Sequence, residues 1–498
     1  MTSVAPDQAI FRVDPRDQVA TALTDLDAGL TVRAGEAEVT LRDPIGRGHK
    51  VALVPISVGE LVLKFGFPIG RATRDIAAGE HVHVHNVQTA LATSGSYTRG
   101  ATPDPVEVHP AGTFEGYRRA DGRVGTRNEI WVLPTVGCVA RTAQKIAQRA
   151  DAKFAGRVDG VHAFTHPFGC SQLGDDLTGT RAVLAGLAAH PNAGGVLLVG
   201  LGCESNQLTQ LLEAIDPAAR GRIRTVAAQF AGDEIEEGLA AVEELVCEAE
   251  TVEREAVPLS ELVLGVKCGG SDGFSGLTAN PLVGRMSDRV TEAGGAAILT
   301  EIPEIFGAEQ LLMDRATDDT VFGEVVDLVN GFKRYFTEHG EPVSENPSPG
   351  NIAGGITTLE EKSLGAVQKA GHALLTDVRH YGEQIRRKGL TLLEAPGNDA
   401  VSSTALAAAG ATVILFTTGR GTPLGFPVPT IKIASNSALA ERKAGWIDFD
   451  AGQVLRDGMT PAADALLEKV RAVASGEETA AERNDEREIA IWKRGVTL

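Results

Sequence analysis

Positive charge is in short supply in this chain: 47 Lys and Arg face 66 Asp and Glu, a formal net charge of −19 over 498 residues. That imbalance repels nucleic acid and anionic lipid at long range, so neither is expected as a partner, and an anionic ligand would need a local basic pocket. No stretch has the length and apolarity of a membrane span. The first residues, MTSVAPDQAIFRVDPRD, lack the basic and apolar regions that mark export, so a cytoplasmic location is expected. Cysteines number 5, an odd count without disulfide-scaffold spacing, which suits a reducing compartment and leaves thiolates free for metal. They form no CxxC pair, which excludes a zinc ribbon or a thioredoxin-type site. The glycine-rich stretches match neither a Walker nor a dinucleotide fingerprint, which argues against a hydride-transfer enzyme.

What is present belongs to a globular protein, with 43% apolar residues and a mean hydropathy of −0.03. The length predicts about three domains. Residues 1–92 read as short strand-like pieces with turn glycines, a small β-rich module. Residues 93–112, rich in Ser, Thr, Pro and Gly, read as a linker. Apolar strands then alternate with Ala-rich helical segments through two α/β domains with largely parallel sheets, 113–257 and 258–498. The boundary falls after an acidic helix expected over Asp233–Glu255, with Pro258 ending it.

Four strand-like runs end at a cysteine with glycine close by: Cys138, Cys170, Cys203 and Cys268. Ligand crevices of open α/β sheets lie outside the strands' carboxyl ends, so these positions read as a thiolate site for iron or for a three-cysteine cluster. A buried free cysteine is otherwise an ordinary small hydrophobe. His166 and Glu204 lie within four residues of two of these cysteines and are proton-transfer candidates. In the N-terminal module His81-Val82-His83-Val84-His85-Asn86 predicts a strand with three imidazoles on one face, either a metal site or a solvent-facing polar edge. Gly116–Asn128 (GYRRADGRVGTRN) is basic and turn-rich; Arg127 is its preferred carboxylate ligand, surface ion pairing being the alternative. The loop after Cys268, GGSDGFSG, precedes a helix-like segment and is suited to an anion or sugar hydroxyls, with Ser271, Asp272 and Lys267 assisting. Glu301 and Glu304 follow the strand AAILT, and Lys64 and Arg420 are further cations near turns.

Several of these blocks, in order, resemble the altronate and galactarate dehydratase family with its SAF-type N-terminal module: HKVAL with KFGFPIGRATRDIAAGEHVHVHN, GYRRADGRVGTRN, ANPLVGRMSDRVTEAGGAAILTEIPEIFGAE, PSPGNIAGGITTLEEKSLG and TTGRGTPLGFPVPTIKIASN. The resemblance runs from about Gly48 to Asn436. It implies a metal-dependent, typically iron-dependent, dehydration of a sugar acid, an aldonate or aldarate, to its 2-keto-3-deoxy acid. The metal set expected is His83, His85, Cys138, Cys170 and Cys268, holding Fe2+ or an iron–sulfur cluster. The catalytic set is His166, Glu301 and Lys267, and the substrate set is Arg127, Ser271, Asp272, Lys64 and Arg420. A homo-oligomer acting on a small-molecule sugar acid is expected. Ile352, where altronate-type members often carry a basic residue, predicts a different or shorter acid. The alternatives are carbon–sulfur cleavage of a sulfonated hydroxy acid such as sulfolactate, or non-catalytic binding of a sugar acid.

Overall fold

The computed structural model describes residues 9–93, 95–101, 103–104 and 107–498. Residues 1–8 of the N-terminal module and 94, 102, 105 and 106 of the expected linker lie outside the described residues. The protein is a mixed α/β structure with a β-rich N-terminal region and a large parallel sheet toward its C-terminus.

The N-terminal region is built from antiparallel pairs. Ile10–Phe11, Val19–Ala22, Lys50–Ala52 and His81–Val82 form one sheet, and Leu61–Lys64, Phe67–Ala72 and Val87–Gln88 another. The expected histidine strand stops at Val82. Asn86 turns the chain there: its Oδ1 accepts from the His83 N–H and its Nδ2 donates to the His81 carbonyl. Consequently Val82 is fully buried while Val84 is 50% exposed, so the two valines do not share an inner face.

A second, four-stranded parallel sheet has the order Val161–Ala163, Glu129–Pro134, Ala193–Gly200, Ile223–Ala227. Parallel strands need crossovers; helices Ala140–Lys153 and Gly174–Ala188 supply them. The acidic helix spans Glu234–Ala249, capped by the Asp233 side chain, which accepts from the Ile235 and Glu236 N–H groups. It ends short of the expectation because Glu255–Pro258 is instead a strand, paired antiparallel with Thr113–Arg118 in the register Phe114 to Val257.

The largest sheet has seven strands in the order Leu375–Arg379, Gly389–Leu393, Ala296–Leu299, Val263–Cys268, Val413–Thr418, Thr430–Ala434, Phe449–Asp450, all parallel. Val263–Cys268 is its central strand, and from Leu264 onward its residues are buried. The carboxyl ends of these strands therefore open where Cys268, Glu301 and Arg420 lie.

Among the contacts that join the parts, two lie toward opposite ends of the chain. Buried Glu361, on helix Leu359–Ala366, accepts from Lys50 Nζ and Lys64 Nζ of the N-terminal region, both at 2.8 Å. At the other end, the final residues run between the two large sheets. Trp492 stacks on Phe332 with centroids 5.3 Å apart, the Gly495 N–H donates to Asp176 Oδ2 at 2.9 Å, and the Leu498 N–H donates to the Ser171 carbonyl at 3.0 Å.

Candidate functional site

The central strand delivers Lys267 and Cys268 to the carboxyl end of the seven-stranded sheet, both buried. Lys267 Nζ donates to Glu301 Oε1 at 2.5 Å and to Asp399 Oδ1 at 2.8 Å. Lys369 Nζ lies 2.8 Å from Cys268 Sγ and 3.0 Å from Glu301 Oε2. Lys362 Nζ donates to Glu304 Oε1 at 2.9 Å and to Asn346 Oδ1 at 3.0 Å. Glu301 is set in place by a left-handed backbone, φ 67°, directly after strand Ala296–Leu299 and Thr300. A non-glycine residue held there is strained, and such strain persists only where the surroundings over-determine it. Two ammonium groups and the Cys268 N–H, at 3.1 Å, do so.

The electrostatics follow from burial and pairing. Burial would raise the Glu301 carboxyl, but Lys267 and Lys369 outweigh it and hold the group well below the usual carboxylate range. Burial would likewise lower both lysines, yet Glu301 with Asp399 raises Lys267, and Cys268 with Glu301 raises Lys369. Cys268 is pushed up to about 11 by burial and by Glu301. The ammonium groups of Lys267, Lys362 and Lys369 thus face the carboxylates of Glu301, Glu304 and Asp399, and the cluster is balanced in charge.

This cluster floors a cavity of about 750 Å³ lined by Cys268, Glu304, Asn346, Asn351, Lys362 and Asp399, with Trp492 in one wall. Amides, a cation and carboxylates around one such space suit a hydroxylated acid. Ile352 lines the same cavity.

Two donor sets near the cavity have metal-ligand chemistry. Among the described residues, Cys268, Glu301 and Glu304 are the only three ligand groups with donor atoms all within 4.8 Å of one another. Both Glu301 oxygens and Glu304 Oε1 are already taken by ammonium groups. The second set is imidazole. His49 Nδ1 lies 3.0 Å from His81 Nε2, and the rings of His49 and His83, His81 and His83, and His81 and His85 have centroids 4.9, 5.4 and 5.3 Å apart. Burial, reinforced by neighbouring His49 and His85, lowers His81 to about 4. Burial and Lys50 lower His83 to about 3. Neutral imidazole is the form that binds metal. The short helix Pro349–Ala353 borders the cavity through Asn351 and Ile352, and just beyond it Thr357 Oγ1 lies 3.0 Å from His83 Nδ1.

The structure does not gather the remaining expected residues here. Cys138 and Cys170 are exposed on loops of the four-stranded sheet, whereas Cys268 is buried in the other sheet. His166 belongs with the former: Nε2 lies 2.9 Å from the Pro134 carbonyl and Nδ1 accepts from the Phe168 N–H. Arg127 is buried in a two-pronged pair with Glu482, at 2.8 and 3.0 Å. Lys64 is occupied by Glu361. Asp272 is buried and folds its own loop, accepting from the Phe274 and Ser275 N–H groups and from the Ser435 hydroxyl. The Ser271 carbonyl accepts from Asn351, and exposed Arg420 donates to the Gly350 carbonyl. Residues the sequence reading passed over are His49, Asp399, Lys362 and Lys369. Lys362 lies on helix Leu359–Ala366 and Lys369 on the 3-10 turn Val367–Ala370 that follows it, and nothing in the spacing of TTLEEKSLGAVQKA marks them as a pair.

Three family descriptions match the chain: Altronate/galactarate dehydratase SAF domain over residues 8–90, D-galactarate dehydratase/Altronate hydrolase, second domain, over 116–250, and D-galactarate/Altronate dehydratase, C-terminal, over 259–497. The chain is 48% identical to an altronate dehydratase of Bacillus subtilis (strain 168), over 99% of this chain and 100% of that one. It is 50% identical to an altronate dehydratase of Escherichia coli (strain K12), over 98% and 99%. A galactarate dehydratase (L-threo-forming) of Escherichia coli (strain K12) is 34% identical, over 90% and 89%.

Proposed function

Because this chain belongs to the altronate and galactarate dehydratase family, we propose that it is a hydro-lyase that removes water from an altronate-like sugar acid to give the 2-keto-3-deoxy acid. The observation that carries the reading is the cavity at the carboxyl end of the seven-stranded sheet, where lysines, carboxylates and amides converge. In it Lys362, Asn346 and Asn351 bind the acid's oxygens. Glu304 accepts the proton from C2, and Lys362 beside it, 2.9 Å away, returns a proton to the hydroxyl leaving C3. Carbon loses H and OH, and the enol so formed becomes the ketone. Lys267 and Glu301 lie beneath, paired with each other, and fix the field in which Glu304 works.

Iron is the cofactor of this reading. His49, His81, His83 and His85 would hold it by drawing together from ring separations of 4.9–5.4 Å, being nitrogen donors without ammonium pairs, whereas the Cys268 group is already engaged by lysines. Bound there, iron would supply stabilisation of the negative charge that develops on the substrate carboxylate as C2 loses its proton. The same reading divides the chain into units 1–92, 113–257 and 258–498 joined by 93–112, and has it act as a cytoplasmic homo-oligomer.

A keto-acid assay against altronate, other aldonates and aldarates, and sulfolactate tests the reaction. Keto product from altronate is expected, and turnover of sulfolactate alone overturns the reading. In Glu304→Gln, kcat is expected to fall by about 10²–10⁴-fold, the contribution of general acid–base catalysis, with iron content unchanged.

A further inference from the structure

Exposed free thiols are uncommon, since cysteine is among the residue types most often buried. Here Cys138, Cys170 and Cys203 are all exposed, and all three follow strands of the four-stranded sheet, at its carboxyl end. Glu129–Pro134 carries Cys138, Val161–Ala163 carries Cys170, and Ala193–Gly200 carries Cys203. These strands are immediate neighbours, with the Cys138 strand in the middle. Adjacent strands are about 4.8 Å apart, so the outer two of the three exits are roughly 10 Å apart.

Beyond the strands the three loops are bound to one another. The Gly137 N–H donates to the Phe168 carbonyl at 2.8 Å, and the Asn206 N–H donates to the Gly169 carbonyl at 3.0 Å. The Thr135 hydroxyl donates to Glu204 Oε1 at 2.6 Å, and Asn206 Nδ2 donates to the Thr135 carbonyl at 3.3 Å. The turns that present the thiols need unusual backbone: Gly169 and Ser171, on either side of Cys170, have φ of 99° and 55°, and Gly202, before Cys203, has 129°. A β-carbon at Gly169 would stand 2.1 Å from the Thr135 carbonyl oxygen, so the approach of the loops requires glycine. His166 and Glu204 serve this arrangement. The imidazole bridges the Pro134 carbonyl and the Phe168 N–H, and the carboxylate accepts from the Leu201 and Gly202 N–H groups.

We infer that Cys138, Cys170 and Cys203 are the three protein thiolates of an iron–sulfur cluster seated on these loops. The three are not a preformed single-ion site, because only the Cys268 group brings three ligand atoms within 4.8 Å among the described residues. A cluster, whose bridging sulfides hold its irons apart, accepts thiolates set farther from one another. With His166 and Glu204 engaged in holding the loops, one iron of the cluster is left without a cysteine. This centre is distinct from the imidazole site, and it stands or falls separately from the dehydratase reading.

The test is iron and acid-labile sulfide in the full chain, purified anaerobically and reconstituted with ferrous iron and sulfide. Wild type is expected to hold both and to show broad visible absorption. Cys138→Ala, Cys170→Ala and Cys203→Ala should each lose the sulfide and that absorption, while Cys247→Ala, a control on the exposed face of the acidic helix, keeps them. His83→Ala should lose iron but no sulfide. Absence of sulfide from reconstituted wild type, or undiminished sulfide in a Cys138→Ala/Cys203→Ala double variant, overturns the inference. An active enzyme that holds iron but no sulfide refutes the cluster and leaves the dehydratase standing.

Discussion

Glu301 illustrates how a single side chain here is defined by its neighbours. Its two oxygens are divided between Lys267 and Lys369, both buried. A buried pair is weak as a source of stability, yet removing one partner strands the others and costs about 3–5 kcal/mol. Glu301→Gln is therefore expected to lower unfolding free energy by about that amount in denaturant titrations, with iron content intact. Unchanged stability would show that the lysines find other acceptors. Much at this scale was legible in sequence: Lys267, Cys268, Glu301 and Glu304 stood out as polar residues at strand ends. Lys369 and Asp399 did not, because they come from segments far along the chain that only the tertiary fold returns to Cys268. Arg127 misled for a related reason. Its glycine-rich, basic surroundings read as an anion loop, while its true acceptor, Glu482, lies hundreds of residues away.

Among the elements, the buried parallel strands were readable from continuous apolar runs ending at glycine. The histidine segment was not, since HVHVHN alternates as a strand does and only Asn86 converts it into a turn. That turn brings His81 and His83 against His49, which directly precedes strand Lys50–Ala52, and His85 against His81. Asn86 thus holds the geometry of the proposed imidazole site without being one of its donors. Outer supports of this kind typically cost 10–100-fold in metal affinity when removed. Asn86→Ala is expected to weaken iron binding by about that factor in a competition titration. Unaltered affinity would place the metal elsewhere. The acidic helix shows the opposite error, an overextension: Asp233 marked its start correctly, but charge continuing beyond Ala249 concealed the strand at Glu255–Pro258.

For the whole molecule, Glu361 between Lys50 and Lys64 is one of the buried ties that attach the N-terminal region. Burial would raise this carboxyl, but the two lysines lower it from 4.5 to about 2. A depressed carboxyl stabilises the fold above its ordinary value and loses that contribution as pH falls through its folded one. Burial lowers Lys50 to about 8, so it remains a cation throughout this acid range. The group is therefore expected to contribute about 3 kcal/mol at neutrality, withdrawn between about pH 4.5 and pH 2. Unfolding free energies measured across that interval should slope less steeply in Glu361→Gln than in wild type. Equal slopes would show that the interface titrates through other groups. In sequence Lys64 reads as a cation for a substrate carboxylate; that its carboxylate is Glu361, far along the chain, is visible only in the fold.

The closing stretch of chain touches both chemical regions, setting Trp492 in the cavity wall and bonding its last residues to the turn after Cys170. One tether of a few residues therefore serves as a shared brace. A lesion in it should register twice, as poorer turnover and as easier alkylation of the Cys170 sulfur, so neither defect by itself would reveal where the damage began.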